Sequence, residues 1–257
     1  MLGLAVAAIW LSAVATGLAS TPLTGQFQAN TVTSLLQQGF GRFVARNAAG
    51  SYVVVWHDFS QVTDLDGWYG ITVRGRLYDR TGYAIGPDFL ISSYSTDRWN
   101  REPQVAMASD GGFVVVWSKG ENLGQQDLND VYGRKYDSTG TPEGPEFRIS
   151  AEAPGSQGGA MITAAGDGSF IVVWTDTGPP PTWYTTVKVR RLDATGTPAG
   201  SEFQVSAPYA GAFAVEAATD GSFVVGYNEG GNAFARRYSN TDVPVGAGFQ
   251  INPSYGP

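Results

Sequence analysis

Gly111-Gly112-Phe113-Val114-Val115-Val116-Trp117 is the stretch that decides the fold, because the same pattern occurs four times in the chain. A glycine turn leads into β-branched residues, and an aromatic residue ends the run. The other three copies are Gly50–Trp56, Gly168–Trp174 and Gly221–Tyr227. Consecutive apolar positions of this length predict a strand that is covered on both faces.

Three more strands belong to each repeat. In the second copy, Gln104–Ser109 precedes the apolar run, and Asp110-Gly111 between them is a hairpin signal. Val131–Asp137 follows as an alternating strand, and Phe147–Ser150 is the last strand. Four antiparallel strands that recur with a period of roughly 46 to 62 residues predict an all-β, β-propeller-like array. A β-sandwich is the alternative, since its strands are also short and evenly spaced.

The N-terminal part differs from the repeats. Leu2–Ala19 is an apolar run, and the first charged residue of the chain is Arg42. As a helix, this run would be about 27 Å long, which is close to the thickness of a bilayer core. It is therefore predicted to be a membrane anchor or a signal peptide. The side chains expected in the membrane are Leu2, Leu4, Ile9, Trp10, Leu11 and Leu18.

These patterns predict four segments. They are an apolar helix at 1–19, a linker at 20–41 with an orphan strand at 27–30, a four-repeat domain at 42–252 and a tail at 253–257.

Composition excludes several classes of function. The 16 basic and 23 acidic side chains give a net charge of −7, which argues against a nucleic-acid partner. The absence of cysteine excludes disulfides and thiolate metal sites. The single histidine, His57, follows Trp56 at a strand end and is predicted to be a surface or turn residue. No nucleophile motif accompanies it, so no catalytic residue is predicted.

Residues that recur in every repeat are predicted to be structural. Asp137 begins a turn in the second repeat, and Arg134 lies just before it. We expect the recurrent arginines to pair with the turn carboxylates along one edge of each unit. Because such residues repeat, they are poor candidates for a unique site.

The binding face is predicted from the loops. In an antiparallel four-stranded unit, the connections from strand two to three and from strand four to one lie on the same face. All the long irregular segments are of this kind, and loops on a rigid scaffold often carry binding sites. Aromatic residues predicted to contact a partner there are Trp68, Tyr69, Trp99, Trp183 and Tyr184. Oxygen ligands that suit calcium are Asp64, Asp66, Asp127 and Asp130, and no other cofactor is predicted.

The repeat resembles those of long secreted bacterial surface proteins. The resemblance rests on Asp110–Trp117, Tyr132–Gly140 and Gly144–Ser150, and it covers residues 42–252. It implies a propeller-like array outside the cytoplasm and brings no catalytic residues with it. The Gly-Gly-x-Gly-x-Asp calcium repeat that often neighbours such arrays is absent from this sequence.

Together, the apolar N-terminus and the one-sided loops predict a non-enzymatic, membrane-anchored accessory subunit in the periplasm or at the cell surface. It would dock a protein partner, in a membrane complex or surface assembly, through its loop-rich face. A carbohydrate-binding surface module is one alternative, because exposed Trp and Tyr beside carboxylates suit sugars. A glycoside hydrolase is another, because a pair of carboxylates is chemically sufficient.

Overall fold

A computed structural model describes residues 37–38, 43–63, 69–93, 98–122 and 127–253 of the chain. These residues are all-β and contain no helix, so the described part has none that is long and apolar enough to cross a membrane. The predicted helix at 1–19 and the orphan strand at 27–30 lie outside the described residues. The strands are β1 (Gln37–Gln38), β2 (Val44–Arg46), β3 (Tyr52–Thr63), β4 (Tyr69–Tyr78), β5 (Phe89–Leu90), β6 (Arg98–Met107), β7 (Phe113–Asn122), β8 (Asp127–Tyr136), β9 (Phe147–Arg148), β10 (Ser156–Ala164), β11 (Phe170–Thr177), β12 (Thr185–Leu192), β13 (Phe203–Gln204), β14 (Ala210–Ala217), β15 (Phe223–Glu229), β16 (Asn232–Tyr238) and β17 (Phe249–Gln250).

Each repeat forms one antiparallel meander of four strands. We call them unit 1 (β2–β5), unit 2 (β6–β9), unit 3 (β10–β13) and unit 4 (β14–β17). Strand β1 adds to the side of β3, and a single parallel bridge, Ile71 to Trp99, joins units 1 and 2. Four consecutive meanders, the first two of them joined by this bridge, are not the two facing sheets of a β-sandwich, so that alternative is wrong.

The apolar runs hold the units together in chain order. In β7, Phe113, Val115 and Trp117 face unit 1, whereas Val114 and Val116 face unit 3. All five side chains are fully buried. Successive strand residues point to opposite faces, so one unbroken apolar run supplies both interfaces of a unit. This confirms that the runs are strands covered on both sides.

The turn after the third strand is built by its first residue. In unit 2, the Asp137 carboxylate accepts hydrogen bonds from the Thr139 amide at 2.8 Å, the Thr139 hydroxyl at 2.7 Å and the Thr141 amide at 2.9 Å. Gly140 follows with a φ of 84°, which favours glycine. The Thr139 hydroxyl bond is the main cause that lowers the pKa of Asp137, and the amide bonds add to it. The structural role predicted for this aspartate is confirmed.

The recurrent arginines have different partners from the ones expected. Arg134 donates to the backbone carbonyl of Gly144 at 3.0 Å within its own unit, and to the carbonyl of Ile91 in unit 1 at 3.2 Å. Arg190 and Arg236 make the same contact with the carbonyls of the preceding units, at 2.7 and 3.1 Å. The predicted pairing with turn carboxylates is therefore wrong, because the guanidinium lies within reach of carbonyl groups at the unit boundary. The arginines link one unit to the next.

Candidate functional site

Strand register defines an equivalent corner in each unit, where the end of the second strand, the start of the third and the segment before the fourth meet. We call this the rim corner. In unit 1 it contains Asp58, Arg74 and Asp88, with Arg74 nitrogens 3.8 and 3.4 Å from the two carboxylates. Unit 3 repeats this arrangement of a cation between two acids, and there the distances from the lysine nitrogen are 4.0 and 3.7 Å. The unit 3 residues are Asp176, Lys188 and Glu202. Asp58 is fully buried, whereas Asp176 and Lys188 are partly exposed, and a partly exposed pair adds little to stability.

Unit 2 rearranges the charges of the rim corner. Lys119 stands where units 1 and 3 have an acid, and Tyr132 stands where they have the cation. The Lys119 amine pairs with Glu146 and lies 4.7 Å from the centre of the Tyr132 ring. A cation over an aromatic face is attracted by the ring quadrupole. The corner therefore keeps a satisfied charge pair but gains an aromatic ring.

Glu146 also ties unit 2 to unit 1. Its carboxylate accepts hydrogen bonds from the Ser93 amide and the Ser93 hydroxyl, both at 2.8 Å. Burial by itself would raise the pKa of Glu146, but the bonds from Lys119 and Ser93 outweigh it and lower the pKa. The carboxylate stays ionised at neutral pH and holds Lys119 in place.

A second ion pair lies beside this corner. Arg148 pairs with Asp130 and also donates to the Ala151 carbonyl at 3.1 Å. At the matching positions the other units have Leu90, Gln204 and Gln250 in place of the arginine. The Arg148 Nε is buried and has no hydrogen-bond partner among the described residues. Among the described residues, unit 2 therefore has two ion pairs at or beside its rim corner, Lys119 with Glu146 and Arg148 with Asp130.

These side chains surround a pocket of about 340 Å³ on the side of the long loops. Its walls are the β7–β8 end of unit 2 and the segment that leads into unit 3. Hydrogen-bond donors, acceptors and one aromatic ring line it together, which is the composition that binds a polar, ring-shaped ligand. The lining residues are Lys119, Leu128, Asn129, Asp130, Tyr132, Arg148, Glu152, Ala153, Pro154 and Gly155. We call this the unit 2 pocket.

The structure places the predicted aromatic residues elsewhere. Trp183 and Tyr184 lie between β11 and β12, with exposures of 54 and 38%. Trp99 in β6 is half-buried, and the Arg101 guanidinium lies 4.0 Å from its ring centre. None of these three lines the unit 2 pocket. Tyr69 begins β4, and Trp68 lies outside the described residues.

Of the predicted calcium ligands, Asp130 lines the unit 2 pocket, where it accepts from Arg148 and lies 3.5 Å from the Ser150 hydroxyl. Asp64 and Asp66 lie outside the described residues, as does the side chain of Asp127. Within the described ranges no group of three or more His, Cys, Asp or Glu side chains could hold a metal ion. Calcium stays a prediction.

The predicted exposure of His57 is wrong. Its exposed fraction is 4%, and its ring meets Phe59 edge-on at 5.2 Å. Burial, and secondarily the positive charge of Arg101, lowers its pKa to about 4. His57 follows Trp56 in unit 1 and is covered by unit 2, so it belongs to the interior of the protein.

Sequence reasoning missed Lys119, Tyr132, Arg148 and Glu152. The repeated positions are predicted to be structural, and that prediction leaves out the exceptions among them. Aligning the four copies position by position shows the signal, since Lys119 and Tyr132 interrupt the acid–cation pattern of units 1 and 3.

Comparison with known proteins gives the class of the fold. No family model matches the chain, and no curated protein does. A Hadza microbial sialidase, Hz136, is similar over 79% of this chain and 45% of its own, at 12% identity and a TM-score of 0.56. A puromycin hydrolase, solved as its S511A mutant, covers 83% of this chain and 31% of its own, at 17% identity and a TM-score of 0.53. The chain thus spans less than half the length of either protein, and at these identities the likeness is one of fold, of the β-propeller class.

This comparison corrects the predicted function. It overturns the prediction of a non-enzymatic docking subunit, whereas the membrane anchor predicted at 1–19 lies outside the described residues and stays a prediction. Both of these solved structures are enzymes by their names, a sialidase and a hydrolase. The one-sided loops misled the prediction, because loops on a rigid scaffold serve enzymes and binding proteins alike.

Proposed function

We propose that this chain is a β-propeller-like part of a carbohydrate-active enzyme and that the unit 2 pocket binds its glycan. The observation that carries the proposal is the departure of this one corner from the pattern of units 1 and 3. Lys119 and Tyr132 replace an acid and a cation there, and the result is a polar pocket with an aromatic ring. The sialidase with the same fold acts on carbohydrate by its name, which supports this class of ligand.

The pocket has the groups that a sugar needs. Sugar hydroxyls both donate and accept hydrogen bonds, and Lys119, Asn129 and Asp130 offer both kinds of partner. The Tyr132 ring gives an apolar surface for the face of a pyranose or furanose ring. The ion pairs fix these side chains before a ligand arrives, so little conformational freedom is lost on binding.

We assign the hydrolytic role to Asp130 and Glu152, the two carboxylates that line the pocket. Asp130 is fixed by Arg148 and is suited to act as the nucleophile or as the base that activates water. Glu152 is exposed on the loop across the pocket and is suited to donate a proton to the leaving oxygen. Two carboxylates on either side of a glycosidic bond are sufficient for this reaction.

The test uses a panel of 4-methylumbelliferyl glycosides that includes a sialoside, a galactoside and an arabinofuranoside. We expect at least one to be hydrolysed, and Glu152→Gln to lower the rate by about 100-fold or more. Asp130→Asn should have a similar effect. Glu143→Gln is the control, since this acid pairs with Lys135 at 3.1 Å in a turn outside the pocket. Hydrolysis that is unchanged in Glu152→Gln and Asp130→Asn would refute the assignment.

The likeness to repeats of secreted bacterial surface proteins supports a setting in which glycans are met outside the cytoplasm. Both that family and that location stay predictions. Fractionation of the native cells, with detection of the protein in the extracellular, periplasmic and cytoplasmic fractions, tests the location.

A further inference from the structure

The connection between β11 and β12 is longer than the fold requires. In unit 4 the matching strands, β15 and β16, are joined by Gly230 and Gly231 alone. In unit 3 the connection is 178–184, which contains three consecutive prolines and ends with Trp183 and Tyr184. Both units form the same four-stranded meander, so the longer connection of unit 3 is not needed to turn the chain. We call Trp183 and Tyr184 the aromatic platform.

The aromatic platform is exposed, but the backbone that carries it is fixed. The Pro179 carbonyl accepts hydrogen bonds from the Thr182 hydroxyl at 2.8 Å and the Thr182 amide at 3.2 Å, and the Gly178 amide donates to the Tyr184 carbonyl at 2.8 Å. Trp183 has a φ of 43°, in the left-handed region, where a residue with a large side chain is strained. Such strain is concentrated at functional positions, and exposed rings on a fixed loop are typical of a contact surface.

The aromatic platform adjoins the unit 2 pocket. Strand register aligns the first residue of β10, the last of β11 and the first of β12 in one row. Gly155, Gly178 and Tyr184 come next in that row, and Gly155 belongs to the wall of the pocket. A Cβ added to Gly155 would collide with the Thr177 carbonyl oxygen, and one added to Gly178 would lie 3.2 Å from Tyr184 Cε1. The pocket wall and the platform are therefore continuous, and between them the row has no side chain beyond Cα.

The length of this row sets the size of a ligand that would use both places. One strand lies between β10 and β12, so Gly155 and Tyr184 are separated by two strand spacings, about 10 Å. A single sugar in the pocket does not reach across this distance, whereas a chain of linked sugars does. Trp and Tyr rings provide apolar faces for sugar rings while the sugar hydroxyls stay in water.

We infer that the aromatic platform binds the continuation of a glycan chain of which one sugar occupies the unit 2 pocket. The ligand class is then an oligosaccharide or polysaccharide, and this inference rests on the function proposed for the pocket. Residues 177–187 contain no charged side chain, which suits neutral sugar rings and not an acidic ligand. The fixed backbone favours binding further, because little freedom is lost when the ligand arrives.

Affinity electrophoresis of the full chain tests the inference, in native gels that contain arabinan, galactan, mannan or xylan. We expect at least one polysaccharide to retard the wild type. The double variant Trp183→Ala with Tyr184→Ala should raise the Kd for that polysaccharide at least about tenfold, because two ring contacts are lost. Trp183→Tyr should keep most of the affinity, since it keeps an aromatic face. A melting curve for each variant confirms that it is folded.

The matched control is Tyr83→Ala. Tyr83 is 71% exposed, but it lies in the turn between β4 and β5 of unit 1, outside both the platform and the pocket. This variant should be retarded as the wild type is. The comparison separates the loss of a particular aromatic surface from the loss of any exposed ring.

The outcomes separate this inference from the function proposed for the pocket, because retardation requires no hydrolysis. A wild type that none of the four polysaccharides retards would overturn the inference. Retardation that is equal in the double variant would overturn it too, even if the wild type hydrolyses a glycoside. Retardation that depends on the platform, without hydrolysis of any glycoside, would support the platform and refute only the hydrolytic role of Asp130 and Glu152.

Discussion

Unit 2 and unit 4 share one sequence pattern and one strand order, yet they differ in what surrounds them. Unit 2 is packed between two neighbours, and its β7 side chains from Phe113 to Trp117 are fully buried. Among the described residues, unit 4 packs against unit 3, and Ile251 on its other side is more than half exposed. Because the repeat makes every unit apolar on both faces, burial is decided by the position of a unit in the stack.

The two units also differ at the rim corner. Unit 2 has Lys119 and Tyr132 there, and unit 4 has Glu229 and Phe234, with Gly248 in place of the second acid. The strand order of the units is the same with all these versions of the corner. Residues that vary between units while the strand order stays the same can take part in ligand binding. In unit 2, the varying residues Lys119 and Tyr132 line the pocket.

The largest effect expected from this comparison is on stability. Ile149→Ala removes a fully buried side chain between units 2 and 3 and should cost about 2 to 5 kcal/mol in the free energy of unfolding. Ile251→Ala changes the matching residue of unit 4, which is exposed, and should cost less than about 0.5 kcal/mol. Urea denaturation of the two variants and the wild type measures both losses. Equal losses would contradict the view that neighbours determine burial.

A smaller effect is expected on the pH dependence of stability. Asp137 begins the turn of unit 2 and can titrate, whereas Ser239 begins the matching turn of unit 4 and cannot. Hydrogen bonds led by that of the Thr139 hydroxyl lower the pKa of Asp137 below 3.8. The ionised form is therefore favoured by folding, and the stability it adds is present above pH 3.8 and is lost as the pH falls through the lowered pKa. Asp137→Ser should destabilise the protein at pH 7 by more than it does at pH 2.

Denaturation of the wild type and of Asp137→Ser between pH 7 and pH 2 measures this difference. Ser239→Asp is the complementary variant, because it introduces the titrating turn into unit 4 and should stabilise it at neutral pH. A destabilisation by Asp137→Ser that is the same at every pH would show that the carboxylate charge has no part in the turn.

Much of the fold was predictable because it depends on local pattern. Apolar runs such as Phe113–Trp117 and turns such as Asp137–Gly140 determine strands and hairpins without reference to distant residues. The partners of Arg134 were not predictable, since its contact with the Ile91 carbonyl arises only when two units stack.

The site was less predictable than the fold. Asp130 was identified as a loop acid, but its pairing with Arg148 depends on the register between β8 and β9. Lys119 and Tyr132 come together across a hairpin and are informative only in comparison with the other units. The burial of His57 follows from the unit that covers it, which a single strand does not indicate.

The central claim is that the unit 2 pocket owes its glycan binding to the altered rim corner. Lys119→Asp with Tyr132→Arg would convert this corner to the pattern of units 1 and 3 and keep a cation between two acids. The matched control, Asp176→Lys with Lys188→Tyr, makes the reverse change in unit 3. The measurement is the affinity of each protein, by isothermal titration calorimetry, for a non-hydrolysable thioglycoside analogue of the glycoside that the wild type hydrolyses best.

We predict that the unit 2 double variant folds as the wild type does, because it restores the arrangement of one cation between two acids that units 1 and 3 have at the same place. Its glycoside affinity should fall at least about tenfold, since a ring contact and a hydrogen-bond donor are lost. The unit 3 control should bind as the wild type does. Unchanged affinity in the folded unit 2 variant would contradict the account.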